Sequence, residues 1–243
     1  MNQTELLHVN FPHLRGLKPF DTAHSATPWL ADIEVKHQRK LCDSVEDAVK
    51  RCGLQDGMTI SFHHAFREGD RVINNVVALL AKMGFKNLTL ASSSLMTCND
   101  ALIEHIESGV ITRIYTSGMR GKLADAISHG LMDEPVQIHS HGGRVKLLQD
   151  GELSIDVAFL GVPCSDEFGN ANGTHGKSSC GSLGYAMVDA QFARNVVLLT
   201  EEIVPFPNMP ASIVQDRVDY IVQVDSIGAV SYTHLTLPTT ERV

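Results

Sequence analysis

Hydrophobic positions along the chain gather into short, nearly continuous runs separated by stretches with helical spacing. The runs begin near Met58 (MTISFHHA), Asn87 (NLTLASS), Val110 (VITRIYTS), Pro135 (PVQIHSH), Asp156 (DVAFLGVP), Asn195 (NVVLLTEE) and Asp219 (DYIVQVDS). Most are rich in β-branched residues, and continuous rather than alternating apolar character marks strands covered on both faces. Between them, Val76, Leu79, Leu80 and Met83 stand at i, i+3, i+4 and i+7, with Gly84 as a stop. A helix is predicted to open at Asp43-Ser44, turning Val45, Ala48 and Val49 inward, and short helices fit residues 100–107 and 120–130. Such strand–helix–strand alternation predicts right-handed crossovers and a mainly parallel sheet with flanking helices. The fold class is α/β.

Successive strand starts lie 29, 23, 25, 21, 39 and 24 residues apart. The long interval holds FGNANGTHGKSSCGSLG (168–184), five glycines in seventeen residues, and a loop of that length inside a regular alternation points to function. Residues 1–41, with Pro12, Pro19 and Pro28 and few apolar periods, read as an N-terminal arm before a domain of residues 42–230.

Composition narrows the class without naming a chemistry. The 243 residues are 43% hydrophobic and 20% charged, ordinary for a globular protein and long enough for a sizeable core. A net charge of −8 with no basic stretch removes the usual electrostatic footprint of nucleic-acid binding. The five cysteines form no C-x-x-C pair and read as reduced thiols. No signal-peptide pattern opens the chain, and aliphatic runs such as Val76–Ala81 are far short of a membrane span, so a cytoplasmic location is expected.

Open parallel sheets bind ligands beyond the carboxyl ends of their strands. Here those ends are polar: His63-His64-Ala65-Phe66-Arg67, Ser92-Ser93-Ser94, Thr116-Ser117-Gly118, His139-Ser140-His141-Gly142-Gly143-Arg144, Pro163-Cys164-Ser165-Asp166 and Thr200-Glu201-Glu202. His139 and His141 share a face, but no H-E-x-x-H or H-x-x-E-H helix accompanies them, so hydrogen bonding is expected rather than a metal. Gly142-Gly143-Arg144 is predicted to open a helix whose N–H groups suit a phosphate or a developing oxyanion; a plain turn explains it equally. Arg67, Arg120 and Arg144 follow strand ends and suit bidentate carboxylate binding, or are solvated helix-start arginines. Glu201 and Glu202 fit either a reactive carboxylate or a solvated turn before Pro205. Rossmann, P-loop and G-x-S-x-G fingerprints are all missing.

Four stretches carry a resemblance: ISFHHAFREGDRVIN (60–74), IHSHGGR (138–144), DVAFLGVPCSDEFGNANGTHGKSSCGSLGYAMVDA (156–190) and LLTEEIVPFPNMPASI (198–213). Together they resemble the citrate lyase alpha subunit family, within the CoA-transferase superfold shared with ribose-phosphate isomerases. The resemblance implies a citrate CoA-transferase, exchanging acetyl for citryl on a carrier thiol through a mixed anhydride. It implies a beta subunit that cleaves citryl-carrier, and a gamma carrier subunit bearing a phosphoribosyl-dephospho-CoA arm. No cofactor is then expected on this chain itself, which would use that arm or acetyl-CoA; neither nucleic acid nor membrane is an expected partner. Under this reading Gly142, Gly143 and His64 serve catalysis, and His63, Arg67, Arg144, His139, His141, Ser165 and Asp166 meet the citrate trianion. Gly173, Gly176, Gly181 and Ser182 receive the CoA-like arm.

Family members are about twice as long, with a second similar domain, so the chain is expected to be a first half. Its last residues, 231–243 (SYTHLTLPTTERV), break the alternation and read as a non-native tail. Two alternatives within the superfold are a sugar-phosphate isomerase or deaminase, and an effector-binding module. The second would normally bring a helix-turn-helix, for which the N-terminal arm shows no motif.

Overall fold

Strand pairing in the computed structural model, which describes residues 40–228, follows from the buried apolar runs. The expected arm lies outside the described residues up to position 39, and the expected tail lies outside them entirely. In chain order the elements are β1 (Leu41–Cys42), α1 (Val45–Cys52), β2 (Thr59–Phe62), α2 (Val72–Lys82), β3 (Leu88–Ser92), α3 (Leu102–Glu107), β4 (Ile111–Thr116) and α4 (Gly121–Ser128). They continue as β5 (Gln137–Ile138), α5 (His141–Gln149), β6 (Val157–Asp166), β7 (Ala171–Asn172), α6 (Tyr185–Phe192), β8 (Asn195–Val204) and β9 (Tyr220–Gln223).

The sheet runs β1-β9-β8-β6-β2-β3-β4-β5, every neighbour parallel, with β7 added antiparallel to the far end of β6. Strands β2 to β5 therefore step toward one edge, while β6, β8 and β9 step toward the other. Parallel crossovers are right-handed, so a reversal of stepping direction moves the connecting helices to the opposite face. The packing shows this directly. Phe62, Leu90, Phe159, Val197 and Leu199 pack with Val49 of α1, Val76 and Leu80 of α2, Leu102 of α3 and Leu123 of α4. The alternate positions Ala91, Ala158, Leu160, Val162 and Leu198 pack with Leu148 of α5 and with Ala186 and Ala190 of α6. A strand's side chains alternate between faces, so one continuous apolar run supplies both cores.

Local signals place the helix ends. The Ser44 hydroxyl accepts from the Asp47 N–H to start α1, and Gly53 closes it at φ +64°. Ser140 accepts from the Gly143 N–H and opens α5, as the G-G-R reading predicts. Two strands run further than their apolar runs suggest. β6 reaches Asp166 because Cys164 and Ser165 pair with β7, and β8 reaches Val204 because Ile203 and Val204 pair with β6. Ser165, Asp166, Glu201 and Glu202 thus lie within strands rather than in the turns after them.

Phe159 is fully buried and stacks on Phe62 at 5.7 Å, whereas Ile138 on the edge strand is 60% exposed. Phe159→Ala is expected to cost about 3–5 kcal/mol of stability, and Ile138→Gln to stay within about 0.5 kcal/mol. Urea unfolding of the two variants checks this, and equal losses would contradict the layer assignment.

Candidate active site

Strand order reverses between β2 and β6, which opens a crevice at their carboxyl ends, the usual ligand position in such sheets. His63 follows β2 directly and is only 5% exposed, with Nε2 2.9 Å from the Gly161 carbonyl oxygen of β6. A carbonyl only accepts, so Nε2 carries the hydrogen and donates it. Burial lowers the His63 pKa to about 4, which keeps the ring neutral at neutral pH. His63 therefore ties the two strands together across the crevice.

His64 is half-buried, and both its backbone N–H (3.1 Å) and its Nδ1 (2.5 Å) meet the Ser93 hydroxyl beyond β3. Burial lowers its pKa, and the charges of His141 and Arg67 lower it further. His64 and Arg67, both from the turn after β2, and His141, the first residue of α5, are thus near enough for their charges to interact. Arg67 holds a left-handed backbone, φ +49°, uncommon for a side chain other than glycine. The exposed His141 ring lies 5.2 Å from Tyr185 of α6, and half-buried His139 stacks on Tyr115 at 6.3 Å.

Beneath the α5 terminus lies an ion pair closed to solvent. Arg144 is 2% exposed and Asp189 fully buried, joined by two hydrogen bonds of 2.6 and 2.9 Å. Asp189 also accepts from the Ser61 hydroxyl of β2 at 2.8 Å, and the guanidinium sits 5.3 Å from the Tyr185 ring centre. Arg144 does bind a carboxylate, as expected, but one supplied by the chain itself. Gly142 is exposed, and a side chain there would touch nothing within 4 Å, so α5 is open to its surroundings at that position.

The glycine-rich segment forms a second group. Asp166 accepts from the N–H groups of Phe168, Gly169, Asn170 and Asn208 and from the Asn170 side chain. Burial alone would raise its pKa; those hydrogen bonds overturn that and bring it below the ordinary carboxylate value. Ser165 is equally buried and donates to the Asp166 carbonyl. Direct substrate contact by Arg144, Ser165 and Asp166 is thus not what the geometry shows; each is committed to an internal partner. At Gly173 a Cβ would lie 2.0 Å from the Gly181 carbonyl oxygen, and at Gly176 2.8 Å from that of Pro163, so both glycines allow the segment to close on itself. Gly181 and Ser182 are exposed. Glu201 anchors the segment, accepting from the Ser178 hydroxyl at 3.0 Å and from the Ile227 N–H at 3.1 Å.

The family model "Citrate lyase, alpha subunit (CitF)" matches residues 38–235. The chain belongs to the citrate lyase alpha subunit family. It is 66% identical over 223 residues to the citrate lyase alpha chain of Klebsiella pneumoniae, covering 92% of this chain and 44% of that one. A solved Streptococcus mutans structure, described as the alpha subunit of citrate lyase in complex with citrate, is 53% identical with a TM-score of 0.79, over 80% of this chain and 38% of that one. Glutaconate coenzyme A-transferase of Acidaminococcus fermentans, at 12% identity and a TM-score of 0.56, covering 76% of this chain and 75% of that one, shares the fold alone. The α/β fold is therefore of the CoA-transferase kind. The chain spans less than half the length of the curated relatives it matches.

In this citrate lyase alpha family member the sequence marks the histidine pairs but not Asp189, Tyr185 or the role of Ser93. Asp189 did leave a signal: an acid between Ala186 and Ala190, on the buried face of α6. Among the described residues, no group of three or more His, Cys, Asp or Glu is placed to hold a metal ion.

Removing one partner of a buried ion pair strands the other charge. Asp189→Ala is expected to lose about 3–5 kcal/mol, while the double change Arg144→Met with Asp189→Leu should lose far less. Comparing the urea midpoints of the two variants tests this. A second expectation concerns pH. His63 falls to about 4 from the usual 6.5, so its contribution is present above pH 6.5 and lost as pH falls toward 4. Buried Asp70, at the start of α2, is pushed up to about 7 from 3.8, so its contribution is present at low pH and lost as pH rises to 7. The two oppose each other. Relative to the unaltered chain, Asp70→Asn should gain stability between pH 4 and 7 as pH rises, and His63→Gln should lose it. Parallel slopes for all three proteins would refute the assignment.

Proposed function

We propose that this chain forms the citrate-binding part of a citrate CoA-transferase that exchanges acetyl for citryl on an acyl-carrier thiol. The observation that carries this reading is the coupled cluster of His64, His141 and Arg67 in a member of this family. The buried acid Asp189 is already paired with Arg144. Cationic and neutral donors suit a polyanion such as citrate, the ligand named for the Streptococcus mutans relative. The family match favours this over the isomerase and effector-binding alternatives.

In the proposed sequence, a citrate carboxylate oxygen attacks the acetyl thioester carbonyl and the thiolate leaves, giving a mixed anhydride. The thiolate then attacks the citryl carbonyl, and acetate leaves. Arg67, His139 and His141 would hold citrate carboxylates. Both tetrahedral oxyanions would be met by His64 and by the Gly142 N–H at the exposed α5 terminus, the Gly143 N–H being given to the Ser140 cap. Gly181 and Ser182, exposed on the glycine-rich segment, would meet the phosphoribosyl-dephospho-CoA arm, with Gly173 and Gly176 shaping the segment behind them. The arm arrives on the gamma subunit, and the citryl-carrier product passes to the beta subunit. A cytoplasmic setting accords with the five unpaired cysteines. Among the described residues, no helix is long and apolar enough to cross a membrane.

Calorimetric titration with citrate tests the site. Arg67→Ala should weaken binding about 10- to 100-fold, the worth of a charged hydrogen bond. Unaltered affinity in the folded variant would remove Arg67 from the site and undercut the reading.

A further inference from the structure

Ser93 is fully buried, and its hydroxyl touches one residue twice. It accepts the His64 backbone N–H at 3.1 Å and lies 2.5 Å from Nδ1 of the same side chain. The platform is rigid, because the Ser93 N–H donates to the Phe62 carbonyl of β2 and its carbonyl accepts from the Ser117 N–H beyond β4. A serine hydroxyl has one hydrogen to give. Among the described residues, the only acceptor offered to the Ser93 O–H is Nδ1 of His64. Were Nδ1 protonated, that hydroxyl hydrogen would be buried without a partner, at a cost of about 1–3 kcal/mol. Were the ring doubly protonated, the same loss would follow. With Nδ1 bare, backbone N–H, hydroxyl and imidazole form one directed chain in which each bond strengthens the next.

We propose that Ser93 is a positioning residue that locks His64 as the neutral tautomer carrying its hydrogen on Nε2. Nε2 makes no hydrogen bond to any described residue, so this N–H is available to a ligand oxygen. His141 and Arg67, the charges that face His64, disfavour a second proton, as burial does. The lock makes His64 a fixed neutral donor rather than a base. This role rests on the proposed function for its use in catalysis, but not for its existence.

The test separates the two. Long-range proton–nitrogen correlation spectra of the chain with nitrogen-15-labelled histidine, recorded at neutral pH without substrate, report each ring's tautomer directly. The His64 signals are identified by their loss in His64→Gln. The expected result is a single neutral form protonated at Nε2, retained in Ser93→Thr and replaced by a tautomer mixture in Ser93→Ala. An Nδ1-protonated or doubly protonated ring in the unaltered chain would overturn the proposal, as would a Ser93→Ala spectrum with the tautomer unchanged. If Ser93→Ala fails to fold, Ser93→Gly takes its place, and an unchanged single tautomer there would equally overturn the proposal. Failure of citrate to bind, with the tautomer as expected, would count against the function and not against the lock.

Discussion

The Arg144–Asp189 ion pair ties two helices and a strand together at the crevice. It joins α5 to α6 beneath the sheet, and through Ser61 it reaches β2 beside the point where strand order reverses. Two buried charges lose their hydration, and such a pair holds only when geometry and extra hydrogen bonds offset that loss. Here the contact is bidentate, and Ser61 takes a further lone pair of Asp189. Its effect is positional. The first turn of α5 follows from where Arg144 is held, and Tyr185, against which His141 lies, follows from where Asp189 is held.

That arrangement also sets the charge balance of the crevice. The chain is acidic overall, yet three carboxylates near the crevice are turned inward: Asp189 to Arg144, Asp166 to the backbone of the glycine-rich segment, Glu201 to Ser178 and Ile227. His64, His141 and Arg67 are the residues proposed to meet the ligand, and the charges of the last two act on the first. A net charge of −8 thus coexists with the proposed anion site, because Asp189, Asp166 and one oxygen of Glu201 accept from donors inside the chain.

Much of the architecture was legible in the chain. Six of the seven apolar runs became strands of four residues or more because a largely buried run has few other folded forms, the seventh giving only the exposed two-residue edge strand β5. Ser44, Gly53 and Ser140 stop or start helices by hydrogen bonds local to themselves. The short strands β1 and β7 were not legible. Each is two residues long, and each exists only because a distant strand offers it a partner. The strand-end histidines were legible as a group for a topological reason: parallel strands bring all their carboxyl ends to one side.

Individual roles were not legible, since they depend on which side chains meet across long separations. Arg67 and Arg144 look alike in sequence, both polar residues shortly after a strand. Only packing makes the first a surface cation beside His64 and the second a buried strut, because Asp189 stands forty-five residues from Arg144 on the opposing helix. Ser93 and His64 are likewise twenty-nine residues apart, joined by neighbouring strands. The sequence by itself determined the periodicity, hence the α/β class, the side of the sheet that carries the chemistry and the family. The tertiary structure alone decided which polar groups satisfy one another, because a hydrogen bond or ion pair needs atoms within about 3 Å and spacing along a chain does not encode that distance.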